Sequence, residues 1–175
     1  MALDLGAIAK GYAADEAAAI IKRAEIPQAI IDLGGNVVLV GDKLDGTPWR
    51  IGVQDPLENR GSFFGILETS PKTVVTSGLY ERFFVHEEVH YHHIFSSVTG
   101  YPAQNDLLGV SIITANSMDA DAISTATFVL GYEAGRAFIE SLEGVDAIFI
   151  LNDQSIRLTG DSNLILTNTS YRLVN

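Results

Sequence analysis

The chain has no cysteine among its 175 residues. Disulfides and thiolate-rich zinc sites are therefore excluded. Basic residues are scarce, 11 Lys and Arg against 22 Asp and Glu, for a net charge of −11. That balance argues against a nucleic-acid partner, whose binding rests on neutralised phosphates. It leaves room for a phosphate-bearing ligand, because backbone amides and a bound cation offset charge locally. No apolar run approaches the roughly 18–20 residues of a membrane-spanning helix, so this chain is not expected to insert in a membrane. No internal repeat and no low-complexity segment is present. The first residues show no basic leader, apolar stretch and cleavage site. Met1-Ala2-Leu3-Asp4-Leu5-Gly6 reads as the end of a strand, and a domain that opens in mid-element suggests residues upstream.

What is there is ample apolar material, 47% of residues, arranged in alternating elements. Gly6 to Arg23 predicts an alanine-rich helix with Ile8, Tyr12, Ala19 and Ile20 at helical spacing. Short strands follow at Gln28–Asp32, Val37–Val40, Trp49–Val53, Phe63–Glu68, Thr73–Ser77, Arg82–Val85, Val89–Phe95 and Val110–Thr114. Asn116 or Ser117 caps a second helix that Gly131 ends, and Glu133–Leu142 forms a third. Strands at Val145–Leu151, Ser155–Leu158 and Leu164–Thr167 close the chain. One early helix before a run of strands predicts α+β, with helices packed on a largely antiparallel sheet.

Four constellations carry candidate chemistry. In the first, Asp4-Leu5-Gly6-Ala7-Ile8-Ala9-Lys10-Gly11-Tyr12-Ala13-Ala14-Asp15, a helix begins beside a carboxylate. Its free amides suit an anion, and Lys10 one turn in suits a pyrophosphate. Gly11 permits close approach at the next turn. The plainer reading makes Asp4 a cap and Lys10 a solvated side chain. No Lys-Ser/Thr pair follows the second glycine, so this is not a Walker loop. In the second, Asp32-Leu33-Gly34-Gly35-Asn36, two glycines offer positive φ. They make either a hairpin turn or a close approach to a ligand, with Asn36 bonding to it.

The third is Thr76-Ser77-Gly78-Leu79-Tyr80-Glu81-Arg82 with the histidines that follow, at 86, 90, 92 and 93. Strand alternation puts His90 and His92 on one face and His93 on the other, so adjacent His92 and His93 do not easily share one zinc. Glu87 and Glu88 flank a turn, leaving His86 and His90 solvated. His93 opens a strand that runs into Thr99-Gly100, and reads as a general base, a ligand contact or a half-buried strand residue. The fourth is Asp119-Ala120-Asp121-Ala122-Ile123-Ser124-Thr125-Ala126. Asp121 and Thr125 are one helical turn apart and offer hard oxygens, which suit Mg²⁺. Ser124 lies one residue off that face, near enough to contribute through water. Asp119 favours the helix start through the dipole. Asp121, amid apolar neighbours, needs a partner.

Together these segments resemble the ApbE family of flavin transferases. Asp4 to Asp15 is similar to the family's helix entry, and Asp32 to Asn36 to its next motif. Trp49-Arg50-Ile51-Gly52-Val53-Gln54-Asp55-Pro56, Thr76 to Tyr80, and His93 to Pro102 follow in the family's order. Asp121 to Ala126 with Val129-Leu130-Gly131 completes the set. The resemblance implies an α+β fold related to the T-fold group, with residues 1–175 forming the C-terminal part of the family domain. It implies an enzyme that cleaves FAD, releases AMP and attaches FMN to a threonine of an acceptor protein, with Mg²⁺ at the pyrophosphate. Carried over, the metal ligands are the Ala7 carbonyl, Asp121 and Thr125. The flavin contacts are Asp4, Lys10 and the backbone near Phe95, and His93 is the catalytic histidine. The alternatives are a flavin-binding module without transfer and an FAD pyrophosphatase giving FMN to water. Ser96-Ser97 stand where many relatives carry Asp-Pro, and Ser124 where some carry a second carboxylate. The family's N-terminal part is not matched, so weak FAD binding and no transfer are expected of the chain alone. The family's usual place is outside the cytoplasm, lipid-anchored at the membrane.

Overall fold

The computed structural model describes residues 4–174, without the side chains of Val89 and His90. The strand end read at residues 1–3 and the facing of His90 lie outside the described residues.

Three layers stack. A seven-stranded sheet forms the middle, and its strands run β1(Ala29–Asp32), β2(Asn36–Val40), β5(Thr73–Gly78), β8(Leu107–Thr114), β9(Asp146–Leu151), β10(Ser155–Leu158) and β12(Arg172–Leu173) from edge to edge. Every pairing is antiparallel except β10 with β12. Strand alternation divides the core. Val74, Ile113, Ile148 and Ile150 face a three-stranded sheet of β3(Trp49–Gln54), β4(Phe63–Thr69) and β11(Asn163–Leu166), where Val53, Phe64, Leu67 and Leu164 meet them. Val75, Val110, Ile112 and Phe149 face the helices, against Ala120, Phe128 and Ile139. β8, covered on both sides, is buried at all eight positions. The α+β expectation holds. The separate small sheet and β12 are additions: β11 reaches back to β4 from about 100 residues along the chain, and β12 is a two-residue strand beside β10.

The helical layer consists of α1(Gly6–Arg23), α2(Ser117–Leu130) and α3(Tyr132–Glu140). α1 lies over β1 and β2, α2 over β5 and β8, and α3 over β9. Asn116 caps α2 by accepting from the Asp119 amide at 3.0 Å. Gly131 ends it at φ 78°, a conformation that favours glycine. α1 corrects the expectation of its apolar face. Its buried residues are Gly11, Ala14 and Ala18, whereas Tyr12 and Ile20 are exposed. The reason is close packing, because small residues let α1 settle directly on α2 and β2.

A two-stranded hairpin, β6(Phe83–His86) with β7(Val89–His92), stands apart from both sheets. β7 stops at His92, three residues short of the expected end. Phe95 makes only an isolated bridge to Pro102.

Candidate active site

Single hydrogen bonds join all four constellations. The Gly11 amide donates to Asp121 Oδ2 at 2.9 Å, linking the first to the fourth. Ser117 Oγ, at the start of the helix that carries the fourth, donates to Asn36 Oδ1 of the second at 2.7 Å. The Thr76 amide donates to the Gly35 carbonyl at 3.4 Å, linking the third to the second. Ser124 Oγ donates to the Asp121 carbonyl at 2.9 Å. Its one hydrogen is then spent, so Ser77 is the donor in the 2.8 Å bond between the two serine hydroxyls. His93 joins the array through Arg82, whose carbonyl accepts from the His93 amide at 3.1 Å.

Asp121 is 5% exposed. Burial pushes its carboxyl above the usual range, while the Gly11 amide, the Lys10 charge and the Lys10 amide pull the other way. An α-helical N–H points at the carbonyl four residues back, which for Gly11 is Ala7. The Asp121 carboxylate accepts that same N–H, so it lies beside the Ala7 carbonyl. Thr125 sits one turn beyond Asp121 and is half-buried. A carboxylate, a carbonyl and a hydroxyl are hard donors, too few to cage a cation alone. That donor set fits Mg²⁺, which keeps waters and substrate phosphate among its ligands. Among the described residues no three His, Cys, Asp or Glu side chains gather as a metal cluster.

Two neighbouring histidines part company. His92 is buried; its Nε2 lies 3.0 Å from the Ala103 carbonyl, and its Nδ1 accepts from the Ile94 amide at 3.3 Å. Both nitrogens serve the fold. His93 is exposed, with Nδ1 at 3.2 Å from the Arg82 carbonyl. A carbonyl only accepts, so Nδ1 is the donor there, and in the neutral ring Nε2 is the nitrogen left to accept. The half-buried strand reading of His93 does not hold, because the strand ends one residue earlier.

Other expected residues fall as follows. Asp4 is exposed and accepts from the Gly6 amide at 2.7 Å, while the cap position itself is Leu5. Lys10 is half-buried, and its charge and amide act on the Asp121 carboxyl; Ala7 and Phe95 are exposed. Asn36 is fully enclosed, so its side chain braces the start of α2 and offers no face to a flavin. Gly34 and Gly35 make the hairpin turn, at φ 68° and 90°. Gly11 is approached by protein rather than ligand: a Cβ there would stand 2.3 Å from the Ser117 carbonyl oxygen. Ser124 spends its hydroxyl inside the helix layer, which removes it as a water-bridged metal contact. Ser96 supports its own turn, with Oγ accepting from the Val98 amide at 3.3 Å and the Thr99 amide at 3.4 Å.

Sequence reasoning missed a cleft of about 540 Å³ lined by Gln54, Leu57, Arg60, Leu79, Tyr80 and Phe83. It borders the Gly34-Gly35 turn, where Arg60 Nη2 lies 3.2 Å from the place of a Gly34 Cβ. Its walls come from two separate segments, residues 54–60 and 79–83, and no local pattern marks them.

The ApbE family model matches residues 1–149. An FAD:protein FMN transferase of Treponema pallidum is 42% identical over 165 residues, covering 90% of this chain and 46% of its own length. One of Klebsiella pneumoniae is 39% identical, covering 94% and 50%. The crystal structure of an ApbE protein of Thermotoga maritima superposes with a TM-score of 0.76 at 36% identity, over 92% of this chain and 50% of that one. The flavin transferase ApbE of Vibrio cholerae gives 0.71 at 29% identity, over 97% and 51%. The chain thus spans about half the length of these relatives. With the family model matched along most of its length and relatives at about 40% identity, the chain belongs to the ApbE family.

Proposed function

We propose that this chain forms the metal-binding part of an Mg²⁺-dependent FAD:protein FMN transferase that acts on a threonine of an acceptor protein. The Gly11–Asp121 bond carries the reading. It sets a buried carboxylate beside the Ala7 carbonyl and Thr125, at the head of a helix whose Lys10 faces the same point. Bound Mg²⁺ would be held by the Ala7 carbonyl, Asp121 and Thr125, and would offset charge on the FAD pyrophosphate.

The acceptor threonine oxygen bonds to the FMN phosphorus, and the bond from that phosphorus to the AMP oxygen breaks. His93 Nε2 takes the hydroxyl proton, while the Arg82 carbonyl fixes its ring. Lys10 meets the charge that grows on the departing AMP. The exposed Asp4 and the backbone near Phe95 contact the flavin.

Incubation of a relative-length protein carrying this chain with FAD, Mg²⁺ and a threonine-bearing acceptor tests the reading. Flavin-labelled acceptor with AMP supports transfer. Free FMN with AMP means hydrolysis, and unchanged FAD means binding alone. Normal labelling by His93→Ala would remove the base assignment.

The relatives are about twice as long. These 175 residues alone therefore bind FAD weakly and do not transfer FMN. Equal FAD affinity of this chain and a relative-length protein would sink that view. We place the working enzyme outside the cytoplasm with a lipid anchor; recovery of all activity in the cytosolic fraction would refute it. No helix among the described residues is long and apolar enough to cross a membrane.

A further inference from the structure

Asp15 stands on α1 four residues after Gly11, on the same face. Its Oδ1 accepts from the Ser117 amide at 3.0 Å, and its Oδ2 from the Met118 amide at 2.9 Å. Both amides belong to the first turn of α2, where backbone N–H groups have no partner within the helix. α2 already has its own cap in Asn116. Asp15 is thus a second, borrowed cap, supplied from more than 100 residues away in the chain. Its negative charge faces the positive end of the α2 dipole.

One turn earlier on α1, Gly11 lies against the α2 backbone. A Cβ there would stand 2.3 Å from the Ser117 carbonyl oxygen and 2.6 Å from Met118 Cα. One turn later on α2, Asp121 reaches back to the Gly11 amide. Asp121 follows Ser117 by four residues, so wherever the first turn of α2 rests, the Asp121 carboxylate rests one turn above it.

We propose that Asp15 is the positioning residue of the metal site: it clamps the start of α2 to α1, and so sets the Asp121 carboxylate against the Ala7–Gly11 turn. The proposal rests on reading Ala7, Asp121 and Thr125 as the metal ligands. Mg²⁺ demands near-ideal octahedral geometry, so a small slide of α2 spoils the site without unfolding it. An ordinary cap would act on stability alone. Asn116 is that ordinary cap, at the same end of the same helix, and serves as the control.

The test measures Mn²⁺ affinity by electron paramagnetic resonance and melting temperature, in the 175-residue chain and its variants. Asp15→Asn puts an NH₂ against one of the two amide donors; Asn116→Ala removes the ordinary cap. Both lower the melting temperature. Asp15→Asn weakens Mn²⁺ binding by about tenfold or more, the usual scale for a residue that orients a ligand, whereas Asn116→Ala leaves it within about twofold. Wild-type affinity in Asp15→Asn, or an equal loss in Asn116→Ala, overturns the proposal. If Asp15→Asn does not fold, Asp15→Glu takes its place: its added methylene pushes α2 outward and weakens binding, and unchanged affinity overturns the proposal. If the wild-type chain binds no Mn²⁺, the metal reading fails on its own. The clamp is then judged by hydrogen exchange of the Gly11 amide, which rises about tenfold or more in Asp15→Asn if Asp15 holds the Asp121 contact, and is unchanged if it does not.

Discussion

Among the described residues two carboxylates are buried, Asp55 at 2% exposure and Asp121 at 5%. They are partnered very differently. Asp55 Oδ1 accepts from the Tyr171 hydroxyl at 2.6 Å and the Leu57 amide at 3.0 Å, and Oδ2 from the Asn168 side chain at 3.0 Å. Burial and the Asp55 bond together push the Tyr171 hydroxyl above its usual range, so it remains a donor. Asp55 ties the chain's last residues to β3 and is saturated by protein. Asp121 accepts one bond of comparable geometry, from Gly11, and burial raises its carboxyl. A buried charge without full partners is costly to the fold. The comparison teaches that Asp55 is satisfied wholly by the fold, while Asp121 keeps acceptor capacity that the proposed Mg²⁺ would use.

The largest expected effect falls on the saturated side. Asp55→Ala leaves three donors unmet and lowers stability by about 3–5 kcal/mol, read by urea unfolding; a loss below about 1 kcal/mol would break the contrast. Tyr171→Phe removes one charge-assisted bond and costs about 2 kcal/mol by the same measurement. Gly11→Ala sets two effects against each other. Overpacking against Ser117 costs about 1–3 kcal/mol, and the gain in helix propensity returns about 1 kcal/mol. The net is a destabilisation of about 1 kcal/mol; a stabilised variant would mean that α1 and α2 do not meet as closely as described.

Asp121→Asn is the smallest and most telling. Asparagine keeps an acceptor for the Gly11 amide and drops the buried charge. Without metal its stability stays within about 1 kcal/mol of wild type, or exceeds it. The sign follows from the raised carboxyl: the folded state holds its proton more tightly than the unfolded, so the charge costs stability once pH rises through the raised value. The variant's advantage therefore grows from acid toward neutral pH, and pH-dependent melting of both proteins checks it.

Much of this site was legible because helical and strand periods are local. The Asp121–Thr125 face follows from a four-residue spacing, and the Gly34-Gly35 turn from two residues that accept positive φ. What was not legible depends on distant partners. Tyr12 and Ile20 look like the packing face of α1, yet Gly11, Ala14 and Ala18 are buried, because α2 arrives from far along the chain and leaves no room for large side chains. Nothing near Asp55 in the sequence marks it as buried; Asn168 and Tyr171 close on it from more than 110 residues away. His92, the last residue of β7, is buried against Ala103, whereas His93 lies past the strand and is exposed. Ser124 reads as a neighbour of the metal face, but its hydroxyl is claimed by Ser77.

Thermal melting with and without Mg²⁺, on wild type and Asp121→Asn, tests the central claim most directly. A ligand that binds only the folded state stabilises it by about 2.7 kcal/mol at a hundredfold excess over its dissociation constant. The account predicts that Mg²⁺ raises the melting temperature of the wild type and leaves Asp121→Asn unmoved. An equal rise in both, or none in the wild type, would contradict it.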